Sequence, residues 1–148
     1  MTKIERSIVI DRAVDDVFEF IHDPTNDAVW QTTLLESTPL DEGPIDVGMM
    51  VREVRRFLGV RLELTREITD YEPTATSAFR VVSGPVPMSG AYELEAVDGT
   101  TKLTAKGDIE AGGFFRVARP VFAKMADREL EASLGHLKDL LEAGRKPF

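Results

Sequence analysis

Three polar residues in the strand-like part of the sequence, Glu53, Arg66 and Tyr92, are of the types that acid–base chemistry on a small molecule requires. Glu53 shares its alternation with Val51 and Phe57, and Arg66 and Tyr92 also fall on the apolar sides of predicted strands. A buried charge is costly unless it is paired or used by a ligand. We favour a structural ion pair or exposed positions for Glu53 and Arg66, and a catalytic or ligand-anchoring role is the alternative.

Other kinds of catalytic or metal site find little support in the sequence. The chain has no cysteine, so it has neither a thiolate nucleophile nor a thiolate metal ligand. Its two histidines, His22 and His136, are too few for a structural zinc site, and a capping, packing or surface role is favoured for each. No nucleophile elbow, phosphate-binding glycine loop or dinucleotide fingerprint is present. We therefore predict neither a metal nor a cofactor.

A set of large side chains, apolar but with a few polar tips, is a candidate binding surface for an apolar ligand. These side chains come from separate segments and would converge if a sheet curled around a long helix: Trp30, Phe79, Val81, Tyr92, Phe122 and Met125. Each also has a simpler interpretation as core packing, and Met125 suits either role because methionine adapts to irregular gaps. A buried Tyr92 phenol would need a hydrogen-bond partner from protein, water or ligand.

The longest element that would position these residues is a helix predicted from about Ala118 to Ala143. Its apolar residues recur at steps that keep them on one side: Val121, Phe122, Met125, Leu130, Leu134, Leu137 and Leu141. Pro120 suits the first turn of this helix and Gly144 suits its C-cap. At about 1.5 Å per residue the helix would cross a small domain, and we expect Leu134 and Leu137 to be buried against a sheet.

The rest of the chain is predicted to form a sheet, with two short helices after the first strand. Residues 3–10 alternate like a strand, whereas residues 13–22 have the i, i+3, i+4, i+7 spacing of a helix. A second short helix is predicted at 25–30, with Thr25 or Asn26 as its cap. Further strands are predicted at 33–37, 49–58, 60–71, 77–83, 88–97 and 101–111, with Asp98-Gly99 as a tight turn between the last two. The fold class is therefore α+β, an antiparallel sheet of about seven strands wrapped around a long C-terminal helix.

Composition sets broad limits on the function. The 148 residues fit one domain, residues 1–148, and a chain with 43% hydrophobic and 30% charged residues is typical of soluble globular proteins. The net charge of −8 disfavours binding to nucleic acid or to an anionic membrane surface. No apolar run approaches the roughly 20 residues of a membrane span, and we expect a cytoplasmic location.

Several stretches carry a resemblance to a known family: Ser7-Ile-Val-Ile-Asp11, Val14-Asp-Asp-Val-Phe-Glu-Phe-Ile21, Asp23-Pro24, Asn26, Trp30, Phe57-Leu-Gly59 and Ile68-Thr-Asp-Tyr-Glu-Pro73. With its hairpin and terminal helix, the sequence resembles the START-like, or Bet v 1-like, superfamily with the helix-grip fold. More narrowly, it is similar to the polyketide cyclase/dehydrase and lipid-transport family of small bacterial SRPBCC proteins. The resemblance implies a cavity between sheet and helix, close to Trp30, although a fold by itself does not determine a function.

Three interpretations of the function stay open. The first is binding or transport of a small hydrophobic ligand (lipid-, polyketide- or aromatic-like), which an apolar cavity would favour. The second is a cyclase- or dehydratase-like enzyme without metal or covalent nucleophile, which inward and interacting Glu53 and Arg66 side chains would favour. The third is an interaction module with a collapsed cavity, and a homodimer is possible in any of the three.

Overall fold

The computed structural model describes residues 2–57, 59–85, 87–109 and 115–144. The elements are β1 (Thr2–Ile10), α1 (Val14–Ile21), α2 (Pro24–Trp30), β2 (Leu34–Pro39), β3 (Met50–Phe57), β4 (Val60–Glu72), β5 (Thr76–Ser83), β6 (Met88–Val97), β7 (Thr100–Ile109) and α3 (Phe115–Gly144). The seven strands form one antiparallel sheet in the order β1-β7-β6-β5-β4-β3-β2. The predicted helix-grip fold is confirmed: the curled sheet is combined with a long C-terminal helix, and two short helices follow the first strand.

The β6–β7 hairpin shows how alternation positions side chains in this sheet. The hairpin turns at Asp98 and Gly99, whose φ angles of 50° and 80° are those of the predicted tight turn. The resulting register pairs Leu94 with Leu103 and Tyr92 with Ala105. The apolar residues of the two strands therefore lie side by side on one face of the sheet.

The long helix α3 packs its apolar side into the core of the protein. Leu134 and Leu137 are 2% and 0% exposed, which confirms their predicted burial. They belong to a core cluster that also contains residues of β1, α1, α2, β6 and β7. At the edge of this contact, Arg6 of β1 donates two hydrogen bonds to Asp127 of α3, from Nε to Oδ1 at 3.0 Å and from Nη2 to Oδ2 at 2.8 Å.

The start of α3 differs from the prediction. The helix begins at Phe115 rather than near Ala118, so Pro120 lies inside it and not in its first turn. The missing Pro120 N–H removes one helical hydrogen bond, close to an end where the first four N–H groups are unpaired in any case. The predicted strand end at Ala111 lies outside the described residues. In the described part of the chain, no helix combines the length and the apolar composition that crossing a bilayer requires.

The cap of α2 also differs from the prediction. Asp23 is the N-cap, since its Oδ1 accepts a hydrogen bond from the Thr25 backbone N–H at 3.0 Å, so the prediction of Thr25 or Asn26 as cap is wrong. Pro24 occupies the first turn, where its fixed φ angle suits a helix and its missing N–H costs nothing. The proline therefore opens α2, and the short helix carries Asp27 and Trp30, both buried, towards the interior.

Candidate functional site

A cavity of about 170 Å³ lies between the sheet and α3. Its wall is built from α2, β1, β3 to β7 and α3, and most of the lining side chains are apolar: Ile4, Trp30, Leu62, Leu64, Phe79, Val81, Met88, Tyr92, Ala105, Ile109, Ala126 and Leu130. A concave, mainly apolar space with a few polar groups is the usual form of a small-molecule site. We call this space the main cavity.

The structure brings four of the six predicted ligand-binding residues to the main cavity, namely Trp30, Phe79, Val81 and Tyr92. Met125 is not among the residues that line it, and the side chain of Phe122 lies outside the described residues. The contribution of α3 comes from another stripe of the helix: Ala126, Glu129, Leu130 and Ser133. Adjacent helical residues point about 100° apart, which explains why Ala126 lines the cavity and Met125 does not.

One end of the main cavity is polar, and Arg55 organises it. Its Nε donates to Oε1 of Glu53 at 2.9 Å, its Nη1 to Oγ1 of Thr33 at 3.1 Å, and its Nη2 to Oε1 of Gln31 at 2.5 Å. All four residues line the cavity. These hydrogen bonds hold the guanidinium in one orientation at the wall of the mainly apolar cavity.

A second cavity of about 80 Å³ adjoins the first, and we call it the polar cavity. Its lining combines apolar side chains with ionisable ones from α1, α2 and the sheet, including His22, Asp27, Glu53, Arg66 and Ser77. Five residues line both spaces and therefore form the partition between them: Gln31, Glu53, Arg55, Phe79 and Tyr92.

Arg66 faces the polar cavity, and the predicted pair of Arg66 with Glu53 is present. The Nε of Arg66 donates to Oε2 of Glu53 at 2.8 Å, and its Cζ lies 5.4 Å from the centre of the Phe79 ring. Burial raises the pKa of the Glu53 carboxyl, but the guanidiniums of Arg55 and Arg66 outweigh this and hold that pKa below its ordinary value. Glu53 is therefore a fixed carboxylate between two arginines, which is the geometry of a structural ion pair rather than of a proton acceptor.

Asp27 is a buried carboxyl group in the wall of the polar cavity. It is 3% exposed, its Oδ2 accepts a hydrogen bond from Ser37 Oγ at 2.8 Å, and it lies 4.0 Å from Arg66 Nη2. Burial raises its pKa to about 6, an effect that Ser37 and Arg66 only partly offset. A carboxyl group with this pKa beside a cavity is able to donate or accept a proton under ordinary conditions.

His22 and Ser77 form a second buried polar pair in the polar cavity. The His22 Nδ1 donates to the Phe18 carbonyl oxygen at 2.8 Å, so its Nε2 accepts a hydrogen bond from Ser77 Oγ at 2.6 Å. Burial lowers the pKa of His22 to about 4, which keeps the ring neutral at neutral pH. The imidazole is satisfied on both nitrogens, in agreement with the packing role favoured from the sequence, whereas His136 is exposed on α3.

Tyr92 lies at the boundary of the two cavities. Its ring centre is 6.2 Å from that of Trp30 and 6.3 Å from that of His22. Burial raises the pKa of its phenol well above the ordinary value, so the hydroxyl stays protonated and is available as a hydrogen-bond donor.

Sequence reasoning missed Asp27, Gln31, Ser77 and Glu129 as members of the site. Asp27 lies in the first turn of α2, where the helix dipole alone accounts for an acidic residue. Glu129 lies on α3 among other charged residues, yet its Oε1 accepts from Ser133 Oγ at 2.8 Å inside the wall of the main cavity. Among the described residues, no group of three His, Asp or Glu side chains is placed to hold a metal ion.

Residues 1–142 match the family described as polyketide cyclase/dehydrase and lipid transport. No curated protein matches the sequence. Among solved structures, TTHA0849 from Thermus thermophilus has a TM-score of 0.84 at 13% identity, over 98% of this chain and 100% of its own. The Zhui aromatase/cyclase from Streptomyces sp. R1128 has a TM-score of 0.81 at 22% identity, over 95% and 93% of the two chains. Ara h 8.0201 has a TM-score of 0.65 at 14% identity, over 92% of this chain and 97% of its own. At these identities the structural similarity shows a shared fold.

Proposed function

This chain belongs to the polyketide cyclase/dehydrase and lipid-transport family, and from that premise we propose that it binds a small, largely apolar molecule between its sheet and α3. The ligand class is lipid-, polyketide- or aromatic-like. The observation that carries the proposal is the main cavity, which is mainly apolar and has one polar end at Gln31, Thr33 and Arg55. An interaction module with a collapsed interior would lack such a space.

The polar end matters because apolar burial alone is too weak for tight binding. A ligand that buries about 300 Å² of apolar surface gains roughly 7 kcal/mol, and the cost of association has to be subtracted from that gain. Micromolar binding requires about 8 kcal/mol net. The ligand therefore needs at least one oxygen or nitrogen that forms hydrogen bonds with cavity groups such as Tyr92, Gln31 or Thr33.

The proposal is tested by titration with prodan, a neutral naphthalene dye with one ketone whose emission depends on its surroundings. The wild-type protein should bind it saturably. Ala126→Phe fills the main cavity from α3 and should weaken binding at least tenfold, whereas Ala132→Phe, at an exposed position of the same helix, should leave it unchanged. Equal binding by the two variants would place the dye outside the main cavity, and native mass spectrometry of the purified protein would then identify any co-purified ligand.

A second candidate function is catalysis of the cyclase or dehydratase type, and the polar cavity favours it. Asp27, with its pKa of about 6, and the Tyr92 phenol both line this cavity, so a proton acceptor and a hydrogen-bond donor lie near one another. Glu53, which the two arginines hold as a carboxylate, would instead fix the position of Arg66. The chemistry this arrangement suits is proton removal next to a ketone, with the enolate oxygen stabilised by a donor.

This second candidate is tested by deuterium exchange at the methylene group of ethyl benzoylacetate, followed by NMR. The wild-type protein should accelerate the exchange, and Asp27→Asn should return it to the background rate while prodan binding is retained. An absence of acceleration by the wild-type protein would contradict catalysis and leave the binding function in place.

Two further properties, a homodimeric state and a cytoplasmic location, are also proposals. A homodimer is testable by light scattering on a size-exclusion column, where a molar mass close to that of one chain would exclude it. A cytoplasmic location is testable by cell fractionation of the native organism.

A further inference from the structure

The partition between the two cavities is fixed by hydrogen bonds in one part and by packing in another. Glu53, Arg55 and Gln31 are joined by the hydrogen bonds of the Arg55 guanidinium. Phe79 has only an apolar ring to contribute, and this ring lines both cavities. The position of the ring therefore depends on the surfaces that it packs against.

One of those surfaces is the backbone of Gly90. Phe79 of β5 and Gly90 of β6 are direct partners in the antiparallel register. A Cβ atom at Gly90 would lie 2.6 Å from Cε1 and 2.7 Å from Cζ of the Phe79 ring, far inside van der Waals contact. Only glycine permits this approach, so any other residue would force the ring to move.

A second surface is the guanidinium of Arg66, whose Cζ lies 5.4 Å from the centre of the Phe79 ring. Arg66 lines the polar cavity and is not among the residues that line the main cavity. The Phe79 ring thus lies between a ligand in the main cavity and the charged groups behind the partition.

We propose that the Phe79 ring, packed against Gly90, is the part of the partition that limits the length of the ligand, and that these two residues determine specificity. This inference rests on the proposed function of the main cavity. With the ring in place, a ligand is confined to the space of about 170 Å³; without the ring, the space of about 80 Å³ is added and Arg66 becomes accessible. A side chain at Gly90 would push the ring away from β6, into the cavities, and would shorten the ligand that fits.

The test uses a homologous series of n-alkanols, from hexanol to dodecanol, measured by isothermal titration calorimetry. Each methylene group that enters an apolar site should tighten binding about threefold to fourfold. The gain should stop at the chain length that fills the main cavity, and this length is the quantity compared between variants.

Phe79→Ala should extend that length by two or more methylene groups, so the longest alkanols should bind about tenfold more tightly than to the wild type. Gly90→Ala should shorten it, and Phe79→Ala/Gly90→Ala should behave like Phe79→Ala because no ring remains to be displaced. Gly107→Ala measures the effect of the added methyl group alone and should shorten the limiting length less than Gly90→Ala. Gly107 pairs with Gly90 and also lines the main cavity, but its added Cβ would meet only Ser89 O at 3.9 Å and not the Phe79 ring. Phe79→Leu replaces Phe79→Ala if the alanine variant does not fold.

The outcomes distinguish a failure of the length-limiting role of Phe79 from a failure of the proposed function. An unchanged limiting length in the Phe79 and Gly90 variants, with normal wild-type binding, would overturn the partition and leave the proposed function standing. An equal shift in Gly107→Ala and Gly90→Ala would also overturn it, since the added methyl group alone would then explain the effect. Absence of alkanol binding by a wild-type protein that binds prodan would overturn the length-limiting role of Phe79 alone. Absence of both alkanol and prodan binding would remove the proposed function as well.

Discussion

Arg66 donates a hydrogen bond of 2.8 Å to Glu53 across the β3–β4 pair, and Glu53 is only 3% exposed. Its other carboxylate oxygen accepts from Arg55 at 2.9 Å. One buried carboxylate therefore bridges two guanidiniums. Glu53→Gln removes that charge and leaves both guanidiniums without their nearest counter-charge, so we expect a loss of about 3–5 kcal/mol in the free energy of unfolding. Urea unfolding followed by circular dichroism measures this loss.

Glu63→Gln is the control for this prediction. Glu63 pairs with Arg52 on the same two strands, but both side chains are well exposed. Exposed pairs contribute about 0–1 kcal/mol, so this variant should unfold close to the wild type. If Glu53→Gln were equally mild, the Arg55 and Arg66 charges would have to be solvated rather than dependent on Glu53.

The raised pKa of Asp27 predicts a pH-dependent stability. An unfolded aspartate titrates near 3.8 and folded Asp27 near 6, so the folded protein binds more protons than the unfolded chain between these values. The contribution of Asp27 to stability is complete below about pH 4 and is lost as the pH rises through about 6. Relative to the wild type, Asp27→Asn should therefore gain stability by up to about 3 kcal/mol between pH 4 and 6. Urea unfolding at half-unit pH steps measures the difference, and a flat difference would show that folded Asp27 titrates normally.

His22 should act in the same pH range with the opposite sign. Its pKa falls from 6.5 to about 4 on folding, so the unfolded chain binds more protons between these values. The contribution of His22 is complete above about pH 6.5 and is lost as the pH falls through about 4. His22→Gln should thus gain stability relative to the wild type on acidification, by about 3 kcal/mol across this range. Urea unfolding of His22→Gln and the wild type at half-unit pH steps measures this gain.

In the wild-type protein, the contributions of Asp27 and His22 to the pH dependence of stability should nearly cancel. The double variant Asp27→Asn/His22→Gln lacks both, so its stability relative to the wild type should vary with pH much less than that of either single variant. A double variant that follows one of the single variants would mean that the other residue does not titrate as its burial requires.

Local sequence was sufficient to predict the fold because the governing patterns are short. Strict alternation in the antiparallel strands placed Leu62, Leu64 and Arg66 on one side, and the Asp98-Gly99 pair identified the hairpin turn. The start of α3 was harder to predict because Pro120 is tolerated both in a first turn and, at the cost of one hydrogen bond, a few residues further in. The local pattern does not distinguish these two positions.

The site could be predicted only in part, since it depends on the packing of distant elements. Strand alternation indicated that Glu53 can face inward, and the structure pairs it with Arg66. The contacts of Asp27 with Ser37 and of His22 with Ser77 depend on how α1 and α2 lie against the sheet, which no spacing in the sequence encodes. The apolar side of α3 is also wide, so the sequence did not distinguish the stripe of Ala126 from that of Met125, about 100° away.

The final prediction concerns the Tyr92 hydroxyl, which lies where the two cavities meet. Its raised pKa keeps it protonated, so it can donate to a ligand oxygen. Tyr92→Phe keeps the ring and its packing near Trp30 but removes this donor. We expect prodan, which has a ketone, to bind about threefold to tenfold more weakly to the variant, as the loss of one neutral hydrogen bond implies. Naphthalene, which has no hydrogen-bonding group, should bind to both proteins equally, and it serves as the control ligand, measured by isothermal titration calorimetry. A parallel loss of naphthalene affinity would show that the substitution disturbs the cavity wall, and unchanged prodan affinity would show that the ligand oxygen does not accept a hydrogen bond from Tyr92.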